Sequence, residues 1–521
     1  MQDNAKGKNT VLEGALSLTI ATVIVKILGA IYKIPISHVL GEEGMGYFNS
    51  AYTVYSFFVL LCTVGVPKAI MLLYADADGD KREESKIIST ALTFFIIIGT
   101  SLSIVFSLLS IPLSKLIGSP DAYISMVFIS PSILFSGISS VFRGHFSAKV
   151  KFIHIAVSQI IEGAGKLIFG LILAMLSAHA NIALNIVSAF AILGATLGSL
   201  GSLLYLIIIT KVSKTDKISR QKLKIDEKAL IVSRMIKISL PIAMGAMIMS
   251  ITNIIDLGIV MRRLISLGYS ASSATALYGN YTTFATPLFN TAISLFTPIT
   301  VAFMPSLIKE RLDKNRLLDV IKDELDISFF IFAPLSVGLC VYSEEILLLL
   351  FDDHGVFLGS RLLVYLILSI FFLIPLTIVN CTLEATGEVK APMVSMLVGA
   401  IFKIVSGYVL IGNTGFGISG APISTLIFYG VALITSLIIA YKKVNVLMPI
   451  VESAFLPLVN SFISIYLFYP LYSFASSKMH WIVAFLIAVI LSIILYIAIN
   501  AFQDNSKFKS YLKKHNAQIQ R

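Results

Sequence analysis

Apolar residues run along this chain in long blocks separated by short polar segments. A bilayer core takes about 20 residues of α-helix to cross. Blocks of that kind lie near 14–36, 46–74, 87–112, 121–142, 153–177, 185–210, 231–261, 279–308, 325–350, 362–383, 391–411, 416–440, 450–474 and 479–502. They predict an all-α polytopic membrane protein with about 14 transmembrane helices. Composition makes the same point: of 521 residues, 57% are hydrophobic and 13% charged, against about 25% charged in soluble domains. Mean hydropathy is +0.89. A water-soluble fold could not cover such a chain with polar groups, so the bilayer is its solvent.

The net charge of +11 would suggest nucleic acid in a soluble protein. Its distribution suggests topology instead. With a cytoplasmic N-terminus, the inside segments carry 28 Lys and Arg and the outside loops carry five. That asymmetry places both termini in the cytoplasm and requires an even number of spans. The N-terminus is polar, then apolar, with no A-x-A-like cleavage site, and Lys26 interrupts the apolar run. It reads as a retained first helix. Cys62, Cys340 and Cys381 all lie in apolar stretches without a CxxC pair, which gives neither a disulfide framework nor a zinc site. No acidic cluster has metal spacing, no nucleophile–base pattern stands out, and GxxxxGK[ST] is absent, so no metal, cofactor or catalytic residue is expected. GEEGMGY (41–47) reads as a flexible outer loop.

No loop is long enough for a soluble domain. The longest, Lys211–Lys228, is basic and follows the sixth span. A weak repeat spans it. Lys166-x-x-x-Gly170 matches Lys403-x-x-x-Gly407 at an offset of 237, and Pro67 matches Pro305 at 238. Two six-span halves in the same orientation would be related by an axis along the membrane normal. The predicted organisation is an N-terminal six-helix lobe (1–210), a basic cytoplasmic linker (211–230) and a C-terminal six-helix lobe (231–440). Helices 13–14 (441–502) and a basic cytoplasmic tail (503–521) follow. The two lobes would be pseudo-symmetric.

Charges inside the spans carry the chemistry. Lysine at the bilayer centre costs about 2.5–3.5 kcal/mol, so Lys26, Lys166 and Lys403 each call for a partner or a wet cavity. Lys33 lies seven residues after Lys26, on the same helix face. Glu162 stands four residues before Lys166, in position to pair with it along one helix. Asp256 has Arg262, or a lysine on another span, as its candidate partner. Fixed positive charge near the midplane suits an anionic headgroup, because a pyrophosphate held by amines in low dielectric gains far more than in water. An exporter of cationic drugs would need central carboxylates, and these are few here.

Three segments resemble one family. KILGAIYKIPISHVLGEEGMGYFNSAY (26–52) resembles the first-helix signature of the polysaccharide-biosynthesis and stage V sporulation protein B group. SSVFRGHFSAKVKFIHIAVSQIIEG (139–163) and NIIDLGIVMRRLISLGYSASSATALYGNY (253–281) resemble two more of its segments. That group belongs to the multidrug, oligosaccharidyl-lipid and polysaccharide exporter superfamily. The resemblance implies two six-helix lobes plus two C-terminal helices, in a bacterial cytoplasmic membrane. It also implies movement of undecaprenyl-pyrophosphate-linked saccharides between leaflets by alternating access. Lys26 and Lys33 match cationic first-helix residues of the related lipid II flippases, with Lys where Arg is commoner.

The expected function is therefore a non-enzymatic flippase for a lipid-linked saccharide, such as a cell-wall, peptidoglycan or spore-cortex precursor. Lys26, Lys33, Lys166 and Lys403 would bind the headgroup, and Glu162 and Asp256 would serve gating or coupling. Expected partners are the lipid-linked saccharide, membrane lipids and a monovalent coupling ion, with no nucleic acid. A cation-coupled multidrug antiporter of the same superfamily is the alternative. A major-facilitator transporter, a membrane-embedded glycosyltransferase and a scaffold fit less well, for want of a matching loop motif, a sizeable outer loop, and a use for buried lysines respectively.

Overall fold

The computed structural model describes residues 2–77, 79–212, 225–351, 355–388, 390–445, 448–477 and 480–503. The linker stretch 213–224, the basic tail from 504 onward and the side chain of Lys26 lie outside the described residues. Among the described residues every regular element is helical. In chain order the principal helices are α1 (Gln2–Thr63), α2 (Val66–Asp76), α3 (Lys81–Leu108), α4 (Pro131–Ala148), α5 (Phe152–His179), α6 (Leu184–Val212), α7 (Ile225–Ser266) and α8 (Ala271–Asn280). After a π-helical turn over Tyr281–Ala285 come α9 (Thr286–Glu310), α10 (Lys314–Val341), α11 (Val356–Leu368), α12 (Ile370–Ala385), α13 (Ala391–Ile411), α14 (Gly420–Val444), α15 (Ile450–Ser476) and α16 (Trp481–Gln503).

Eleven stretches among the described residues are long and apolar enough to cross a membrane. The first, seventh and eighth predicted blocks coincide with the N-terminal half of α1, with α7 and with α9, each of which includes side chains outside the described set. Large apolar side chains point outward along the helices, including Ile97 at 62%, Leu176 at 62% and Phe455 at 62% exposure. Such a surface is stable only against lipid. The protein is a polytopic all-α membrane protein. Its helices begin where polar residues can cap them. Asp80 accepts from Arg82 N at 2.8 Å to start α3, Ser270 accepts from Ser273 N at 3.0 Å to start α8, and Asp313 accepts from Asn315 N at 3.1 Å to start α10.

Two expectations about local structure are corrected. GEEGMGY is no loop: the chain stays helical and turns sharply at Gly41, whose φ of 62° only glycine adopts without penalty. Arg143, one residue past the predicted span at 121–142 and so expected in a cytoplasmic loop, lies inside α4 with its side chain only 16% exposed. In both places the sequence is polar enough to suggest water, but the polar groups meet other helices.

By packing, the chain forms two compact units: Met1–Thr283 with Ile411–Ile418, and Phe284–Leu410 with Ser419–Arg521. This boundary lies beyond the linker because α7 and α8 pack into the first unit. A Cβ on Gly65 would stand 2.1 Å from Ser239 O of α7, and one on Gly46 would stand 2.2 Å from Thr275 O of α8. Within the first unit, α5 and α6 meet backbone to backbone. Gly165 faces Gly198, and Gly170 faces Gly194. Gly194 and Gly198 form a GxxxG pair, the small-residue spacing that lets membrane helices approach closely. In the second unit, α10, α15 and α16 close around Val337, Tyr342, Ile465 and Phe485.

Candidate functional site

Glycine packing determines where Lys166 stands. The Cβ of any larger residue at Gly198 would fall 2.9 Å from Lys166 N, and at Gly194 2.8 Å from Lys166 O. One turn after Lys166, Gly170 leaves room for the ring of Tyr32, whose hydroxyl donates to Ala191 O at 3.0 Å. The Lys166-x-x-x-Gly170 motif thus places an ammonium group above an aromatic ring.

Three rings of α1 receive that ammonium. Lys166 Nζ lies 4.4 Å from the Tyr52 ring centroid, 5.5 Å from Tyr32 and 5.7 Å from Phe48. The rings form a ladder: Tyr32 to Phe48 at 6.1 Å, Phe48 to Tyr52 at 6.2 Å and nearly parallel, then Tyr52 to Tyr55 at 5.6 Å. Phe48 and Tyr52 are four residues apart, hence on one face of the helix segment after the Gly41 bend. Tyr55 is fixed from below by Ser132 Oγ at 2.9 Å, and Ser132 donates to Ser199 of α6 at 2.9 Å. Tyr52 is the open rung, 39% exposed, whereas Tyr32, Phe48 and Tyr55 are buried. Cation–π contacts of this kind contribute about 0.5–2 kcal/mol, and they leave the positive charge intact.

The pairing of Glu162 with Lys166 along α5 does not occur. Glu162 instead accepts from Arg143 Nη2 at 2.6 Å. The same guanidinium donates to Ser158 Oγ and Ser202 Oγ, each at 3.1 Å. A planar fork with several donors can satisfy partners on two other helices at once, which an ammonium on its flexible stem does less well. Arg143 therefore takes the carboxylate and ties α4, α5 and α6 together.

Lys33 points from α1 to Thr282 O at 2.6 Å, within the π-helical turn where the backbone ladder is loosened. Asn49 donates to Thr282 Oγ1 at 2.9 Å and Thr283 Oγ1 at 3.1 Å, and Asn280 donates to Glu42 Oε1 at 2.8 Å. Among the described residues neither Lys33 nor Lys166 has a carboxylate partner, and the two amines are within electrostatic reach of each other. Asp256 lies half-buried on α7, within electrostatic reach of Tyr278. Its candidate partner Arg262 uses Nε to donate to Leu116 O at 3.0 Å. Lys403 belongs to the second unit, where α13 buries it to 8% exposure.

The structure thus brings Lys33 and Lys166 together in the first unit beside an aromatic ladder, and Lys403 belongs to the other unit. Sequence reasoning overlooked Arg143 and the rings of Tyr32, Phe48 and Tyr52. The spacing of Phe48 and Tyr52, with Tyr55 a turn on, was the available signal. Among the described residues no group of three or more His, Cys, Asp or Glu side chains could hold a metal ion. A separate cavity of about 330 Å³ is lined by Asp76, Glu83, Lys86, Glu227 and Arg234. It mixes both charge signs and shares no residue with the ladder.

Known proteins are similar to this chain in sequence and in fold. Stage V sporulation protein B of Bacillus subtilis (strain 168) is 26% identical over 441 residues, covering 82% of this chain and 83% of that protein. The lipid II flippase MurJ of the same organism is 24% identical over 423 residues, covering 77% of each. A solved structure of lipid II flippase MurJ in an inward closed conformation superimposes with a TM-score of 0.69 at 17% identity, over 93% of this chain and 98% of that one. Residues 318–409 match the MatE family. Residues 11–309, more than half of the chain, match the polysaccharide biosynthesis protein family, and the chain belongs to that family.

Proposed function

We propose that this protein is a flippase that carries an undecaprenyl-pyrophosphate-linked saccharide across the bacterial cytoplasmic membrane. The observation that carries this reading is the pair of ammonium groups, Lys33 and Lys166, with no carboxylate partner among the described residues and beside an open aromatic ring. Amines in a low-dielectric site would hold the pyrophosphate. The exposed face of Tyr52 would receive a sugar ring. Lys26, seven residues before Lys33 on α1, and Lys403 on α13 would add positive charge to the headgroup's path. The Arg143–Glu162 pair and Asp256 would act in gating. The repeat halves 1–210 and 231–440 would serve alternating access, with the last two helices, α15 and α16, alongside and both termini cytoplasmic. Similarity to the lipid II flippase and to stage V sporulation protein B supports a cell-wall precursor as cargo.

A cation-coupled drug antiporter is the second reading, and the MatE match over 318–409 favours it. Binding separates the two. Purified protein is titrated with an undecaprenyl-pyrophosphate saccharide and with a cationic drug, for wild type, Lys33→Gln, Lys166→Gln and Lys403→Gln. Saturable lipid binding that the substitutions weaken, with the protein still folded, supports the flippase. Preference for the drug, or lipid binding indifferent to every lysine, removes it.

A further inference from the structure

Glu324 occupies a core position of α10. Its neighbours on that face, Leu317, Ile321, Leu325, Ser328 and Phe332, are all buried and recur at helical spacing. The Glu324 side chain is 0% exposed, and neither carboxyl oxygen has a hydrogen-bond partner among the described residues. One turn on, Ser328 is equally buried and its hydroxyl is equally unpartnered. From α12, the Cys381 thiol lies within interaction range of Glu324, of Glu384 and of Thr300 on α9. Glu324 thus buries a bare carboxyl one turn from a bare hydroxyl of its own helix, with the Cys381 thiol of α12 within electrostatic reach.

The surrounding charges do not neutralise Glu324. On its own helix, Lys322 turns to Glu452 of α15 at 3.2 Å, Arg316 pairs with Glu310 and Asp313, and Asp319, Asp323 and Asp326 are acidic. From α9 the charged groups are Lys309 and Glu310, from α12 Glu384, and from α11 Arg361, which lies against Phe357. In α16 Tyr496 donates to Phe330 O. Glu344 and Glu345 follow the far end of α10. Among the described residues no Lys or Arg pairs with Glu324. An ionised carboxylate without donor or counter-charge is the state that burial disfavours most. A bound proton removes the charge and with it most of that cost. A thiol and few oxygens make a poor cage for a hard metal cation, which needs many oxygen ligands.

We propose that Glu324, with Ser328 and Cys381 around it, is a proton-binding site of the second unit. The carboxyl holds a proton while α9, α10 and α12 are packed together. When water reaches the site, the O–H bond breaks, the proton passes to water and the carboxylate keeps the electron pair. The proposal concerns residues outside the lysine site and does not depend on the identity of the cargo.

Infrared difference spectroscopy tests it directly. Spectra of the full-length protein in lipid at neutral pH are compared between wild type and Glu324→Gln, which keeps shape and removes the proton. The expected difference is loss of a carboxylic-acid carbonyl stretch, with no loss of carboxylate bands. Loss of carboxylate bands instead would overturn the proposal. Glu324→Asp, which should shift the acid band rather than abolish it, serves if the glutamine variant does not fold. An unshifted acid band in that variant likewise overturns it. Sodium titration adds a further arm: conversion of the acid band to carboxylate by sodium would make this a metal-cation site and refute the proton assignment.

Discussion

Replacing Gly198 by Ala should loosen the α5–α6 contact and weaken the lysine site without touching any ligand. The new Cβ would stand 2.4 Å from Glu162 O and 2.9 Å from Lys166 N. Non-bonded carbons rest at about 3.5–4.0 Å, so the two helices must part by about 1 Å. A gap of that size forfeits roughly a quarter to a half of each dispersion contact along the seam, and overpacking of this kind costs about 1–3 kcal/mol. Alanine also favours a helix over glycine by about 0.8–1.0 kcal/mol, which obscures the raw value. Gly201→Ala cancels that gain. It lies on the same helix, and its Cβ would meet only Ile161 Cγ2 at 3.4 Å. The difference between the two variants should therefore be about 1–3 kcal/mol. The assay is reversible unfolding in mixed micelles, run beside headgroup binding. Gly198→Ala should also lose affinity, since the Lys166 backbone moves away from the Tyr52 ring. If both variants unfold within about 0.5 kcal/mol of each other, the close backbone approach does not set the packing.

Other outcomes follow from the same geometry. Lys166→Gln should reduce affinity for a pyrophosphate-bearing lipid by about tenfold or more, the scale of one lost charge-assisted hydrogen bond, and flatten the salt dependence measured by titration. Tyr52→Leu should keep the salt dependence but lose discrimination between lipids with and without the sugar. Arg143→Gln strips Glu162 of its 2.6 Å partner and should destabilise the protein by about 2–3 kcal/mol, read by thermal unfolding, with Arg143→Lys recovering only part. Gly46→Ala, whose Cβ would strike Thr275 O at 2.2 Å, should part α1 from α8. Faster amide exchange around Thr282 would report it, and unchanged exchange would show that the contact is not maintained in solution.

Periodicity and length were enough to read the helical membrane fold, because hydrocarbon admits few alternatives to an apolar helix. The sites of buried charge were legible for the same reason: each lysine in a span stands out against an apolar background. Their partners were not legible. Glu162 and Lys166 have ideal spacing for a pair on one helix, but Arg143 competes from α4 with a better donor geometry. That competition depends on how α4 packs, and local spacing does not encode it. Gly41 illustrates the same limit. GEEGMGY has a loop's composition, yet its glycines serve a sharp helical bend and a contact with Thr275. Glu324 went unnoticed because the acidic stretch around it resembles a solvated helix start, and only the buried stripe of α10 distinguishes it from Asp323.

Glu162 and Lys166 show how one helix can carry a paired charge and a charge left without a carboxylate partner among the described residues. Glu162 accepts from the Arg143 guanidinium, which also donates to two serines, so that carboxylate contributes to packing. Four residues later, Lys166 meets ring faces and, among the described residues, no carboxylate; the rings stabilise its half-buried ammonium without neutralising it. A carboxylate in the place of those rings would stabilise the apo protein more strongly, but any anion would then have to displace it. Aromatic rings remove that competition. On the proposed function, the Gly170 gap that admits Tyr32 would serve binding as well as packing, because it places a neutral partner where an acidic one would close the site.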